Sequence, residues 1–481
     1  MKNCTILCRS NPRIHLHAVY AWRVLIAMLL IACAAGACFP AWASKPAADA
    51  TGAKEDVHLS EGVHAIDAVQ GNRYVLDGTS QLTLESTSAP IRNGQVHLNA
   101  EDTMLVFKHF RPSQVKATYL QHLRINGEPA VLGKNVRLVR SVNATVVQPH
   151  GEDFQPLHTF NQTGYRGEPR RYSLHQYYKS DQLGEDEDQI ASFTLKRGYM
   201  ATLAENEDGT GASQVFIASE GDLRIASLPT KLRGKVSFVR VFPWRWTGKK
   251  GYGGKAQPAE LLDVQWRYNW GAGDESTLDM EYVLMKHNPN WPSFDQINNK
   301  RGVTHLLGFN EPMQEDQADM PMAQVLRLWP KLQASGLRLG SPCTTDGTID
   351  WLYEFLDKAK ERGYRVDFIT VHYYKGGWSD EKFIRWMRDI HERTGLPLWV
   401  TEFNNGARWV KGHNPNLKQN AKVLAGYCKI MDECDFIERY AVFNMKSNRA
   451  VIADGKLTPA GNRYRDNPSA QAYNHALSIK K

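Results

Sequence analysis

The pattern of apolar positions changes character near residue 229. From 58 to 229 the apolar residues fall in short runs, such as 81–84, 103–107, 136–139, 145–147 and 214–217. These runs are rich in β-branched residues and bounded by Gly, Asn, Asp and Pro, which predicts strands. Glu207-Asp208-Gly209 lies between the runs 200–203 and 214–217 and reads as a hairpin turn, because Gly supplies positive φ cheaply. No fixed-period repeat stands out. The stretch is expected to be an all-β accessory region, built as a sandwich or as two subdomains.

Beyond residue 229, strand-like apolar runs recur at 236–242, 264–269, 282–285, 303–309, 337–340, 366–373, 398–401 and 440–443. Between the later runs, segments 322–334, 351–362, 381–394 and 417–432 carry apolar residues at i, i+3 and i+4, the period of an amphipathic helix. Strands alternating with helices in this way predict a (β/α)8 TIM barrel. The segment 271–279 is too short for a full helix, so the second and third helices are expected to be abbreviated. The fold class is therefore α/β: a C-terminal barrel over 230–481, preceded by the β-rich region 58–229. A chain of 481 residues suits two domains better than one core.

The N-terminus carries export features. A basic stretch ending at Arg23 precedes the apolar run 24–32, and Ala41-Trp42-Ala43 is an A-x-A cleavage site before Ser44. This predicts a signal peptide over 1–43 and a linker over 44–57. Leu30-Ile31-Ala32-Cys33 offers a rival, a lipobox with a lipid anchor at Cys33, and a retained anchor is a third reading. Each places the folded part outside the cytoplasm, as a periplasmic, extracellular or outer-membrane protein. No later run is long and apolar enough to span a bilayer. The net charge of +8 includes Lys2, Arg9, Arg13 and Arg23, so the exported chain keeps +4. That is too weak, and too spread out, to argue for nucleic acid. Cleavage after residue 43 leaves Cys343, Cys428 and Cys434, which is no disulfide scaffold. Cys428 and Cys434 could pair if a helix and a short turn bring them close. Metal-ligand spacing is absent, and the acidic run 185–188 suits a solvated loop better than a calcium site.

Two segments concentrate the chemistry. Gly308-Phe309-Asn310-Glu311-Pro312 and Leu398-Trp399-Val400-Thr401-Glu402-Phe403 each end an apolar run in a glutamate. In a parallel barrel the C-terminal strand ends form the catalytic face. Glu311 and Glu402 would stand there after the fourth and seventh strands. Two facing carboxyls are the minimum for cleaving a glycosidic bond, and retaining enzymes hold them about 5–5.5 Å apart. Their surroundings must keep one protonated while the other is ionised. His372 and Tyr374 share a parity on the sixth strand, and one of them could orient Glu402. Trp244, Trp246, Trp270, Trp378 and Trp409 fall at or just past strand ends. Flat aromatic faces suit the C–H faces of sugar rings, with core packing as the rival role. Trp399 has opposite parity to Glu402 and is expected to pack outward against helices. Gly251-Tyr252-Gly253-Gly254-Lys255 lacks phosphate-loop spacing and reads as a flexible rim loop.

Asn-Glu-Pro after a fourth strand, with a glutamate after a seventh, resembles clan A of the glycoside hydrolases. Within that clan, residues 232–473 resemble glycoside hydrolase family 128, whose members cleave β-1,3-glucans. The resemblance is carried by Val241-Phe242-Pro243-Trp244-Arg245-Trp246, Trp266-Arg267-Tyr268-Asn269-Trp270 and His305-Leu306-Leu307-Gly308-Phe309-Asn310-Glu311-Pro312. It continues through the segments 367–374, 399–403 and 439–444. The resemblance implies that Glu311 is the acid/base, that Glu402 is the nucleophile, and that Asn310 bonds the sugar 2-hydroxyl. It implies an exported, retaining hydrolase of β-glucan, β-1,3-linked and internally cleaved. The polysaccharide is then the partner, and no metal or organic cofactor is needed, because the carboxyls supply both proton transfer and nucleophile. Two other readings stand beside it. One is a clan A hydrolase of another β-linked or bacterial exopolysaccharide. The other is a non-catalytic carbohydrate-binding envelope protein.

Overall fold

The structure is a computed structural model and describes residues 56–475. The export segment, Cys33 and most of the 44–57 linker lie outside the described residues. Everything described belongs to one compact unit of mixed α/β character.

The stretch up to residue 148 coils as a parallel solenoid. Asp56–Leu59, Arg73–Leu76, Gln95–Leu98 and Leu123–Ile125 stack in parallel as one ladder. Val63–Ile66, Gln81–Leu84 and Met104–Lys108 stack as a second. Leu76, Leu98, Leu82 and Leu105 point into the coil and are fully buried. Arg137–Ser141 and Ala144–Gln148 then extend the second ladder antiparallel, and a helix, Pro112–Thr118, packs among them. Asp56 lies opposite Arg73, and Arg73 opposite Gln95, so successive turns take 17 and then 22 residues. Unequal turns are why no fixed period shows in the sequence.

Residues 157–243 form two four-stranded antiparallel sheets around a shared core that includes Leu157, Phe193, Tyr199 and Val239. Tyr199–Ala204 and Ser213–Ala218 make the hairpin that Glu207-Asp208-Gly209 suggests. One strand here corrects the sequence reading. The run 236–242 was expected to open the barrel, but Phe238–Pro243 pairs antiparallel with Tyr199–Ala204. An apolar run states that it is buried and not which sheet buries it.

Its place in the parallel sheet is taken by Lys250–Gly253, the segment expected to be a rim loop. This strand is buried throughout. Its glycines mimic a loop for a packing reason: a Cβ on Gly251 would fall 2.2 Å from the Trp266 ring. From there eight parallel segments pair in succession. Lys250–Gly253 pairs with Trp266–Tyr268, which pairs with Glu281–Tyr282. The chain runs on into Leu284–Met285, which pairs with His305–Leu307, and that with Arg338–Leu339. Gly340 bridges to Phe368, ahead of Ile369–Tyr373. Leu398–Phe403 and Ile437–Phe443 follow, and the last returns to Lys250–Gly253. Full helices, Met322–Gln333, Ile349–Glu361, Asp380–Thr394 and Leu417–Glu433, follow the fourth to seventh strands. Only Ala256–Leu261 and Phe294–Asn298 follow the first and third. Their inward apolar faces build the main core, while Trp266, Val283, Leu307, Phe368 and Trp399 fill the inside of the ring.

Trp399 is a third correction, since it faces inward and stacks on Phe368 at 4.2 Å. On the sixth strand Val371 lies opposite Val400, but His372 lies opposite Glu402. Thr401 is therefore an extra, bulged residue. A bulge resets the two-residue alternation, so Trp399 and Glu402 share a face despite odd spacing.

The solenoid and sandwich dock on one end of the ring. Ser113 donates to Asp279, Arg140 to the Asp279 carbonyl, Thr202 to the Gly336 carbonyl and Arg365 to Ser213. Asp279, Gly336 and Arg365 all precede ring strands. The strand ends that carry Glu311 and Glu402 lie at the opposite end.

Candidate active site

Glu311 is presented by a strained strand end. Asn310 bridges to Cys343, and the Glu311 amide donates to the Cys343 carbonyl at 3.0 Å. Its φ of 44° lies in the left-handed region, which costs a non-glycine residue about 1–3 kcal/mol. Such strain persists where neighbours fix it, and here the flanking backbone bonds do so. The Asn310 side chain donates to Gln317 at 2.9 Å, while its Oδ1 is buried and has no protein partner.

Glu402 is held by three donors. Tyr268 Oη and Trp270 Nε1 lie 3.1 and 2.9 Å from Oε1, and Tyr374 Oη lies 2.5 Å from Oε2. An indole N–H can only donate, so Oε1 is an acceptor in this arrangement. Burial, and then the Glu402 carboxylate itself, push the phenols of Tyr268 and Tyr374 well above their ordinary values. Both therefore stay protonated and keep donating. Trp266, Tyr268 and Trp270 line one face of the second strand, as period two requires, with Trp266 stacked on Tyr268 and Trp270 edge-on to it. Trp270 also takes a left-handed φ, 60°, which places it past the strand end.

His372 stands between the carboxyls. Its Nδ1 lies 2.5 Å from Glu311 Oε1. Its Nε2 lies 3.5 Å from Glu402 Oε1, close enough for charge attraction but without hydrogen-bond geometry. Burial alone would lower the pKa of His372. Cys343, the Glu402 carboxylate and the hydrogen bond to Glu311 outweigh it and hold the imidazole well above the usual histidine value. Beneath the pair, Cys343 Sγ lies 3.3 Å from Thr401 Oγ1.

The aromatic candidates divide. Trp270 is in the site, and Trp409, 58% exposed, stands edge-on to Tyr374 at 5.3 Å. Trp378 is half-buried against Tyr373 with Lys382 over its ring, outside the carboxyl cluster. Trp244 is a core residue against His305 and Tyr473. Trp246 is buried and donates to the Ser219 carbonyl at 2.8 Å. The structure thus gathers Asn310, Trp270, His372, Tyr374 and Trp409 around Glu311 and Glu402, and leaves Trp244, Trp246 and Trp378 elsewhere. Sequence reasoning passed over Tyr268, although its parity with Trp270 marks it. It also passed over Trp291, 48% exposed beside His287 and Gly271 at the same end of the ring.

Among the described residues no group of three or more His, Cys, Asp or Glu side chains could hold a metal ion. None of the described helices is long and apolar enough to cross a membrane. Cys343, Cys428 and Cys434 are free thiols, so the pairing considered for the last two is not made.

Residues 249–464 match the family described as glycosyl hydrolase catalytic core. The solved structures to which the chain is similar include enzymes of glycoside hydrolase family 128. One is a subgroup I endo-β-1,3-glucanase from Amycolatopsis mediterranei in complex with laminaritriose, 28% identical over 45% of this chain and 98% of that one, with a TM-score of 0.42. Another is a subgroup II endo-β-1,3-glucanase from Sorangium cellulosum, 26% identical over 46% and 99%, with a TM-score of 0.40. A third is a subgroup III curdlan-specific exo-β-1,3-glucanase from Blastomyces gilchristii, 25% identical over 45% and 97%, with a TM-score of 0.38. No curated protein matches. The family these structures belong to is the one the sequence motifs resemble.

Proposed function

We propose that this chain is an exported, retaining β-glucan hydrolase that cleaves β-1,3 linkages internally, working on an abbreviated (β/α)8 barrel. The observation that carries the reading is the carboxyl pair: Glu402 fixed by three donors, with Glu311 joined to it through His372. A nucleophile must be aimed, and donors from Tyr268, Trp270 and Tyr374 fix the direction of the Glu402 carboxyl. Glu402 attacks the anomeric carbon and the glycosidic C–O bond breaks. Glu311 gives its proton to the leaving oxygen, then takes one from the water that releases the glycosyl-enzyme. The unpartnered Oδ1 of Asn310 is an acceptor suited to a sugar hydroxyl. Trp409 and Trp291 offer exposed faces for neighbouring sugar units. The β-1,3 linkage rests on the motif resemblance over 232–473, and export rests on Ala41-Trp42-Ala43.

The test is reducing-end release on purified β-1,3-glucan, β-1,4-glucan, xylan, mannan and chitin, with products sized. Mixed oligosaccharides from β-1,3-glucan are expected. Release from another polymer alone would move the assignment to that polymer, and release of glucose alone would make the action exo. Intact mass of the exported protein should give an N-terminus at Ser44. A lipidated Cys33 terminus would contradict that.

A further inference from the structure

Glu311 and Glu402 differ from the buried glutamates at the other end of the ring in the cation they meet. Glu281 and Glu438 each pair with an arginine, Arg439 and Arg338. Among the described residues Glu311 and Glu402 pair with no lysine or arginine, and the basic group common to both is His372. An arginine keeps its charge at any working pH, whereas an imidazolium can release a proton. His372 is 1% exposed, so it is closed to water. The Glu311 side chain, 14% exposed, does meet the cleft. A proton on His372 Nδ1 therefore leaves through Glu311 Oε1, at 2.5 Å.

The other titratable groups gathered here are Tyr268 of the second strand, His287 beyond the third, Cys343 beyond the fifth and Tyr374 beyond the sixth. Tyr268 and Tyr374 stay protonated. Burial pushes His287 down, so near neutral pH it is uncharged. Cys343, Glu402 and the bond to Glu311 hold a proton on His372 against the effect of burial. Of these three, only Glu402 loses its charge in the reaction without moving a proton, because it becomes an ester. Its Oε1 lies 3.5 Å from His372 Nε2. Removing an opposite charge at that range weakens the hold of an imidazolium on its proton.

We infer that His372, acting through Glu311, holds the proton that reaches the leaving oxygen, and that loss of the Glu402 charge releases it. The inference rests on the roles proposed above for the two glutamates. Glu402 forms its bond to the anomeric carbon, and the electron pair of the breaking C–O bond stays on the leaving oxygen. The Nδ1 proton of His372 passes to Glu311 and on to that oxygen. His372 is left neutral, Glu311 ionised and Glu402 an ester. In the second step the attacking water bonds to the anomeric carbon and frees Glu402 as a carboxylate. The proton that water loses returns through Glu311 to His372.

The experiment is nitrogen-15 NMR of the intact, histidine-labelled chain across pH, in the unmutated protein and in Glu402→Gln. That variant removes the charge that the ester removes. His372 is the signal missing from His372→Gln or, should that variant not fold, the one whose Nδ1–H resonance Glu311→Gln displaces. Near neutral pH His372 is expected to be an imidazolium in the unmutated protein, and to lose its proton at lower pH in Glu402→Gln. The same titration in both proteins would overturn the inference, as would a neutral His372 in the unmutated one. No substrate enters this measurement, so it stands apart from the assigned activity. The second readout is the pH profile of kcat/KM on an aryl β-1,3-glucan oligosaccharide. In His372→Gln its basic limb should move down by about one pH unit or more, because Glu311 alone then holds the shared proton. An unmoved limb would contradict the inference. Inactivity of the unmutated protein on every β-glucan would overturn the hydrolase reading and this inference with it.

Discussion

At the level of single residues, the site depends on how Glu402 is held. Tyr374 contributes one hydroxyl to that carboxylate and its ring packs against Trp409. Tyr374→Phe removes the hydroxyl alone. A hydrogen bond to a charged group contributes about 1.5–3 kcal/mol, so kcat should fall roughly 10–100-fold with the fold unchanged. Steady-state kinetics beside a thermal melt checks this, and an unchanged kcat would deny Tyr374 its role. The two glutamates were legible in the sequence because each ends an apolar run, where a charge has no packing reason to be. Trp399 was not, because the Thr401 bulge inverts its parity and nothing in the local sequence marks a bulge. Trp244 and Trp246 sit after a strand as site residues do, but that strand belongs to the sandwich.

At the level of elements, the first ring strand is the instructive case. Lys250–Gly253 has the composition of a loop because the Trp266 ring occupies the space that a side chain at 251 would need. Gly251→Ala should overpack this contact and destabilise the protein by about 1–3 kcal/mol, read as a lowered Tm. Unchanged stability would mean that the neighbouring strands give way easily. The lysines that open this strand have a second use. Lys249 Nζ donates to carbonyls of Met431, Asp432 and Cys434, and Lys250 Nζ to those of Tyr464, Arg465 and Asn467. Each satisfies the end of one helix, where carbonyls lack partners and positive charge is favoured. The later helices were legible because their apolar stripes follow the helical period. The solenoid was not, because its turns differ in length.

At the level of the whole molecule, the accessory structures contribute to the core under the ring. Met104, Val139 and Val146 of the solenoid and Met200 and Ile217 of the sandwich join the main hydrophobic cluster. Residues 247–481 expressed alone should therefore melt well below the full chain or aggregate, because this apolar surface becomes exposed. A fragment as stable as the full chain would contradict the docking. Stability should also depend on acid. Burial pushes His150, His175 and His305 down to about 3, 4 and 4. A folded pKa below the unfolded one means that only the unfolded chain takes up the proton between the two values. Stability is then lost as pH falls from about 6.5 towards 4, about 3 kcal/mol for His305 alone. Glu281, held low mainly by Arg439 against the effect of burial, acts in the same direction below about 4.5. Tm should fall steeply between pH 7 and pH 4, and His150→Phe should flatten part of that slope. A Tm independent of pH over this range would refute neutral burial.

The most direct measurement is the anomeric configuration, by NMR, of the glycosyl azide formed by Glu311→Ala and by Glu402→Ala from an activated aryl glucoside oligomer. Without Glu311, an activated leaving group still departs, and azide attacks the glycosyl-enzyme on Glu402 to give the β-azide. Without Glu402, azide displaces the aglycone directly and gives the α-azide. That pair of products is the predicted result. The reverse pairing, or inverted products from the unmutated enzyme, would contradict the assignment of Glu402 as nucleophile and Glu311 as acid/base.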